Sequence, residues 1–133
     1  QAYTMKLQIE ARTLGEMALN EILPVAITYQ NNLIANARGL KDLGLKKGSY
    51  QSQLNLIERI SSHIQVIEND VAEMIEARKK ANKLEGASEM AKAYCDDVKP
   101  YFDTIRYNCD KLELIVDDKL WPIPKYRELL FLR

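Results

Sequence analysis

Apolar residues recur along this chain at steps of three and four and almost never alternate, so the pattern predicts helices and leaves little room for strands. The first periodic run extends from about residue 3 to residue 38. Within it Leu7, Ala11, Leu14, Ala18, Ile22, Val25, Tyr29 and Leu33 make one stripe, as in a helix with a single face against a core. Pro24 falls inside the run. It lacks an N–H and crowds the preceding turn, which predicts a kink. Gly39, Gly44 and Gly48 then break the periodicity, as expected of a connection between elements. Ser49 is placed to cap a second helix over about 50–84, since a serine oxygen can accept from the open first turn. The stripe of that helix is Leu54, Ile57, Ile60, Ile64, Ile67, Val71, Met74 and Ala81. From Ile57 to Val71 its average step is about 3.5, the value for helices that lie side by side over several turns.

Glu85-Gly86-Ala87-Ser88 predicts a tight turn, with Ser88 capping a third helix over about 89–119. Met90, Tyr94, Val98, Tyr101, Ile105, Cys109, Leu112 and Val116 line one side of it. Pro100 either kinks this helix or begins a new one. Trp121-Pro122-Ile123-Pro124 ends it, and Lys125 to Arg133 form a tail long enough for one or two helical turns. Two short connections imply antiparallel neighbours. The expected fold is all-α: an elongated up-down-up bundle of three long helices, the first and third interrupted by proline, with a short C-terminal tail.

Composition narrows the function classes. The 133 residues fit a single domain, and a hydrophobic content of 47% suits a packed one. Lys plus Arg and Asp plus Glu number 19 each, for a net charge of zero. That balance offers no electrostatic footprint for nucleic acid and no basic excess for an anionic membrane. Cys95 and Cys109, on one helix, would lie ~21 Å apart, beyond disulfide reach. Both are expected to be small core residues of a reducing compartment. The chain opens at Gln1-Ala2-Tyr3, already inside the amphipathic pattern, and reads as residues 1–133 of a single helical domain cut from a larger protein.

Candidate chemistry is sparse. His63 is the sole histidine and borders the second stripe, where a partly exposed or hydrogen-bonded ring is expected. A di-iron site would need Glu-x-x-His, but Ile60 stands three residues before His63. One His and two Cys are too few for a structural zinc site. The stretch from Gly39 to Lys46 superficially resembles a phosphate loop, yet Leu45 and Lys46 stand where Lys and Ser or Thr are required, and a helix precedes it. Asp96-Asp97 and Asp117-Asp118 diverge by about 100° as helical neighbours, so neither pair converges on a ligand. They are expected on solvated faces, like Glu10, Glu16 and Glu21. The sequence therefore assigns no catalytic, cofactor-binding or metal-binding residue.

The chain end is different. Trp121, Pro122, Pro124, Tyr126, Leu129, Leu130 and Phe131 gather large apolar groups where chains are usually frayed and polar. They form a candidate docking segment, seated either on their own bundle or on another domain or subunit. The two prolines, which turn the chain back over the bundle, favour the first.

The segment from Asp117 to Phe131, DDKLWPIPKYRELLF, resembles the C-terminal end of type III glutamine synthetases. Lys6 to Thr13-Leu14 is similar to the segment that follows their catalytic core. Ile22-Leu23-Pro24-Val25-Ala26, Tyr29-Gln30-Asn31, Val98-Lys99-Pro100 and Asp110-Lys111-Leu112-Glu113 are similar to further blocks of that family. The resemblance spans essentially the whole chain. It implies a parent enzyme of the cytoplasm that ligates ammonia to glutamate with ATP and Mg or Mn, through a γ-glutamyl phosphate, in two stacked hexameric rings. The family's ligand-bearing motifs lie upstream, so none of its catalytic residues carries over. The resemblance implies a non-catalytic helical domain whose partners are the catalytic core of its own polypeptide and neighbouring subunits of the homo-oligomer. The alternative reading is a free-standing helical adaptor that takes a partner helix in a groove.

Overall fold

The computed structural model of the chain describes residues 2–125. The first arm consists of α1 (Ala2–Met17), a π-turn (Ala18–Ile22) and α2 (Leu23–Asp42). A loop and a 3₁₀ turn (Lys47–Tyr50) lead into the second arm, α3 (Gln51–Asn82). The third arm is α4 (Ala87–Ala93), a second π-turn (Tyr94–Val98) and α5 (Pro100–Ile115). No strand occurs among the described residues. The expected all-α, up-down-up arrangement of three long helices is the observed one.

Both prolines are accommodated in the same way. In a regular helix a proline ring strikes the carbonyl four residues back. Here the residue just before each proline donates to a carbonyl five residues back, Leu23 to Ala18 and Lys99 to Tyr94. The widened turn moves the carbonyls out of the ring's path, a known use of π-bulges. The kink expected at Pro24 is thus a π-turn ahead of it, and Pro100 is the first residue of α5.

Antiparallel register is visible in cross-arm hydrogen bonds. Gln8 Nε2 donates to Asn82 Oδ1 at 2.9 Å, Gln30 Nε2 to the Ile57 carbonyl at 2.9 Å, and Gln53 Nε2 to Asn36 Oδ1 at 2.7 Å. Numbers on the first arm rise as those on α3 fall. α3 packs against α2 on one side and α5 on another, while α1 also meets the third arm. The buried core takes its members from all three stripes: Leu7, Ala11, Leu14, Ala18 and Ile22; Ile60, Ile67, Val71 and Met74; Tyr94, Val98, Ile105, Cys109 and Leu112. Phe102, outside the expected third stripe, is buried too. Tyr94 buries its ring and donates from its hydroxyl to Asn82 Oδ1 at 2.6 Å, so its polar end is not left unpaired.

The helix ends differ from the sequence expectation. The third arm stops at Ile115 rather than near 119, because Val116 is extended and Asp117 organises a turn. The Asp117 carboxylate accepts from the Lys119 N–H at 2.9 Å, and its carbonyl accepts from Leu120 at 3.0 Å. A side chain that satisfies its own backbone in this way competes with the helix. Neither Ser49 nor Ser88 caps. Ser49 lies within the 3₁₀ turn, donating to the Lys46 carbonyl at 2.7 Å, and Gly86 precedes the third arm. The cysteines also divide: Cys109 is buried, as expected, but Cys95 is exposed and not a core residue.

Two outcomes follow from this packing. Ile67→Ala and Ile105→Ala, each at a fully buried position, should lower unfolding free energy by about 2–5 kcal/mol, measured by denaturant titration; losses below 1 kcal/mol would contradict the packing. Burial, and secondarily Asp110, pushes the Cys109 thiol up to about 12 from its ordinary 9.0. Its thiolate is absent from the native protein at mild alkaline pH, whereas the unfolded chain ionises it above about 9. Stability should therefore fall between about pH 9 and 12 through this group. At pH 8 a thiol reagent should label Cys95 alone in the native state and both cysteines in denaturant. Equal native labelling would refute the burial of Cys109.

Candidate functional site

The end of the third arm is the most elaborated polar structure in the described residues. Past the Asp117 turn, Trp121 enters the hydrophobic core with 8% of its surface exposed. Leu120 and Ile123 pack against the same core. Pro122 and Pro124 face solvent. Lys125 is itself buried. Its ammonium donates to the Val116 carbonyl, pairs with Asp118 Oδ1 at 2.8 Å, and lies 5.7 Å from the centre of the Trp121 ring. A buried ammonium is costly unless its donors are used, and here a carbonyl, a carboxylate and an aromatic face share them. The carbonyl is available because Val116 has left the helix, so the early stop of α5 and the burial of Lys125 depend on each other.

The sequence-derived docking residues are thus divided by the structure. Trp121 is seated in its own bundle, and Pro122 and Pro124 flank it at the surface. Tyr126, Leu129, Leu130 and Phe131 lie outside the described residues. Sequence reasoning missed Lys125 as a buried cation; Asp117 and Asp118 are exposed, as expected of solvated residues, yet one also shapes the turn and the other pairs with Lys125. The overlooked signal was an acidic pair and a lysine bracketing an apolar, proline-bearing segment.

Elsewhere the polar groups are structural. His63 is half-buried, and its Nδ1–H donates to Asn108 Oδ1 at 2.8 Å, while Asn108 Nδ2 donates to the Thr104 carbonyl at 2.8 Å. This pair joins α3 to α5 through a buried amide and matches the expected hydrogen-bonded histidine. Arg106 of α5 pairs with Glu10 of α1, closing the bundle on its third side. Asp96 pairs with Lys92 at 2.6 Å. Among the described residues no three or more His, Cys, Asp or Glu side chains are grouped to hold a metal ion. No described helix is long and apolar enough to cross a membrane.

Two open grooves flank α3. One, of about 380 Å³, lies between α1 and α3, with Ala11, Gly15, Val71 and Met74 along its apolar floor and Arg12, Glu16 and Arg78 around it. The other, of about 650 Å³, lies between α3 and the third arm. At about 100° per residue, Val71, Met74 and Arg78 project from the opposite side of α3 to Glu73, Glu76 and Lys80. The second groove is acidic: Glu73, Glu76, Asp96 and Asp97 surround Lys80. Tyr101 donates to Glu73 at 3.0 Å. This bond to a carboxylate, with burial and the same negative charge, raises the Tyr101 hydroxyl above its ordinary value.

Comparison with known proteins gives this architecture its context. A family model described as the glutamine synthetase C-terminal domain matches residues 1–41, the first arm almost to its end. Glutamine synthetase of Bacteroides fragilis is 45% identical over 133 residues, covering 97% of this chain. The type-3 glutamine synthetase of Dictyostelium discoideum is 30% identical over 138 residues, covering 98%. Glutamine synthetase of Butyrivibrio fibrisolvens is 24% identical over 129 residues, covering 97% of this chain. In each case the chain spans 18% of the relative's length. The chain belongs to the glutamine synthetase family, as a helical domain that matches the C-terminal region of its members.

Proposed function

We propose that this domain is the non-catalytic brace of a glutamine synthetase, holding the catalytic core of its own polypeptide or a contact between subunits of a homo-oligomer. The parent protein would join ammonia to glutamate with ATP and a divalent cation such as Mg or Mn, in the cytoplasm, its substrate and metal ligands supplied by the remaining four-fifths of the polypeptide. The observation that carries this reading is the match of the entire bundle to a segment that makes up 18% of its relatives. The geometry supports it: Tyr94 with Asn82 and His63 with Asn108 tie the third arm to α3, and a brace requires that rigidity. The docking segment has two parts in this reading. Trp121, with Pro122 and Pro124 setting its direction, anchors to the bundle, and Tyr126, Leu129, Leu130 and Phe131 extend the anchor to the core or to a neighbouring subunit.

Two measurements test this. Calorimetry of the isolated chain with ATP and magnesium should give no heat of binding, and saturable micromolar binding would overturn the non-catalytic assignment. Trp121→Ala should destabilise the isolated chain by about 3–5 kcal/mol, as for other buried tryptophans. Deleting residues 126–133 should leave that chain's melting temperature within a few degrees and instead weaken assembly of the full-length protein, followed by sedimentation. A deletion that changes neither would show that the tail anchors nothing.

A further inference from the structure

The groove between α1 and α3 continues past its arginines into a second hollow. Arg12 and Arg78 line both spaces, so they stand where one opens into the other. On one side is the apolar floor of Ala11, Gly15, Val71 and Met74, in about 380 Å³. On the other is a smaller space of about 190 Å³ walled by Gln8, Asn82 and Tyr94. Asn82 Oδ1 accepts there from Gln8 Nε2 at 2.9 Å and from the Tyr94 hydroxyl at 2.6 Å, which fixes its amide. Among the described residues no carboxylate pairs with Arg12 or Arg78, and no acceptor takes the Asn82 N–H. Glu16 is the one carboxylate beside either space, against two guanidiniums.

Gly15 sets the depth of the floor. A glycine inside a helix is destabilising relative to alanine. A methyl at this position would meet Met74 Cε and Val71 Cγ1 at 3.6 Å each, an ordinary contact. Packing of α1 on α3 therefore does not demand a glycine. Its missing side chain leaves the trough deeper, the use glycine has where a ligand approaches a backbone closely. From Arg12 to Leu19 the trough follows α1 for ~11 Å. Its apolar half has no aromatic wall, so it fits a flexible alkyl chain better than a flat ring.

We propose that this groove binds a medium-length acyl carboxylate, the alkyl chain along the Gly15 floor and the carboxylate between Arg12 and Arg78. A guanidinium meets a carboxylate through a two-bond fork, stronger than a neutral hydrogen bond, and the Asn82 amide adds a donor. A small inorganic anion would leave the floor in water. A neutral alkyl compound would leave the arginines unpaired. Burial of the chain and pairing of the charge together select an acyl carboxylate.

Decanoate is the probe. Equilibrium dialysis at low ionic strength should give saturable binding of one decanoate per chain. The four methionines give separate methyl signals in carbon-13 spectra, and Met74→Leu assigns that of Met74. Decanoate should shift the Met74 signal and leave Met5 and Met90, which line neither space, in place. Arg12→Gln combined with Arg78→Gln should weaken decanoate about tenfold or more and leave neutral decanol unchanged, with circular dichroism checking the fold. Gly15→Ala should hold or raise the melting temperature. It should weaken both probes about threefold or more, because the added methyl takes up floor space. The full-length protein should bind decanoate with the same dependence on the arginines. Non-saturable uptake, shifts at Met5 or Met90, affinity unchanged in either variant, or loss of binding in the full-length protein would each overturn the proposal.

Discussion

The bundle depends on one helix whose single apolar stripe is covered by both flanking arms. α3 runs for 32 residues without a break, and its wholly buried residues Ile60, Ile67, Val71 and Met74 lie along one stripe. A lone helix with that stripe in water has no reason to persist, because helical stability in proteins comes chiefly from packing an apolar face. The first arm supplies Leu7, Leu14 and Ile22 to it, and the third supplies Val98, Ile105 and Leu112. These arms run antiparallel to α3 because the connections are too short for anything else. α3 therefore fixes the level at which the flanking arms bond to it, as in Gln8 to Asn82, His63 to Asn108 and Tyr94 to Asn82.

That demand explains why the flanking arms carry the irregularities and α3 does not. A proline in an arm that must follow α3 over its length creates a conflict: the missing donor breaks the ladder, and a sharp bend would separate the stripes. The π-turns at Ala18–Ile22 and Tyr94–Val98 resolve it. They also place Ala18, Ile22, Tyr94 and Val98 entirely within the core, so each widened turn is held by packing on its inner face. The irregularity is local because the apolar contacts on both sides of it are in register.

Most of this fold was legible in the sequence because the stripes obey one period. The same period, applied strictly, would have excluded Cys95, which follows the buried Tyr94 by 100° and so points away from the core. Chemical type alone predicts a core residue there, and position decides otherwise. The π-turns were not legible, since whether a proline bends a helix or is absorbed depends on what the flanking turns pack against. The seat of Trp121 was legible only in part. Its hydrophobicity called for burial, but the buried Lys125 beside it requires a carbonyl that becomes available only where Val116 leaves the helix. Tertiary geometry creates that acceptor, and no local pattern encodes it. The acidic groove was hidden for the same reason: Glu73 and Asp97 are 24 residues apart in sequence and meet only through the register of α3 with the third arm.

The distribution of charge completes the physical picture. A chain of zero net charge could be electrically bland, but this one distributes its charges unevenly: Arg12 and Arg78 beside Glu16 between α1 and α3, four carboxylates around Lys80 between α3 and the third arm, and three lysines beside Asp42 where the first arm leads into the second. Such a distribution has no role in the core, which is apolar, and adds little to stability, because exposed charges are screened over about 10 Å. It can, however, orient the domain against another charged surface, where like charges facing each other are penalised more strongly than a good match is rewarded. The proposed bracing role would need the domain to sit in one place and one orientation, and with so few chemical groups to recognise a neighbour, the pattern of surface charge is the feature able to specify both.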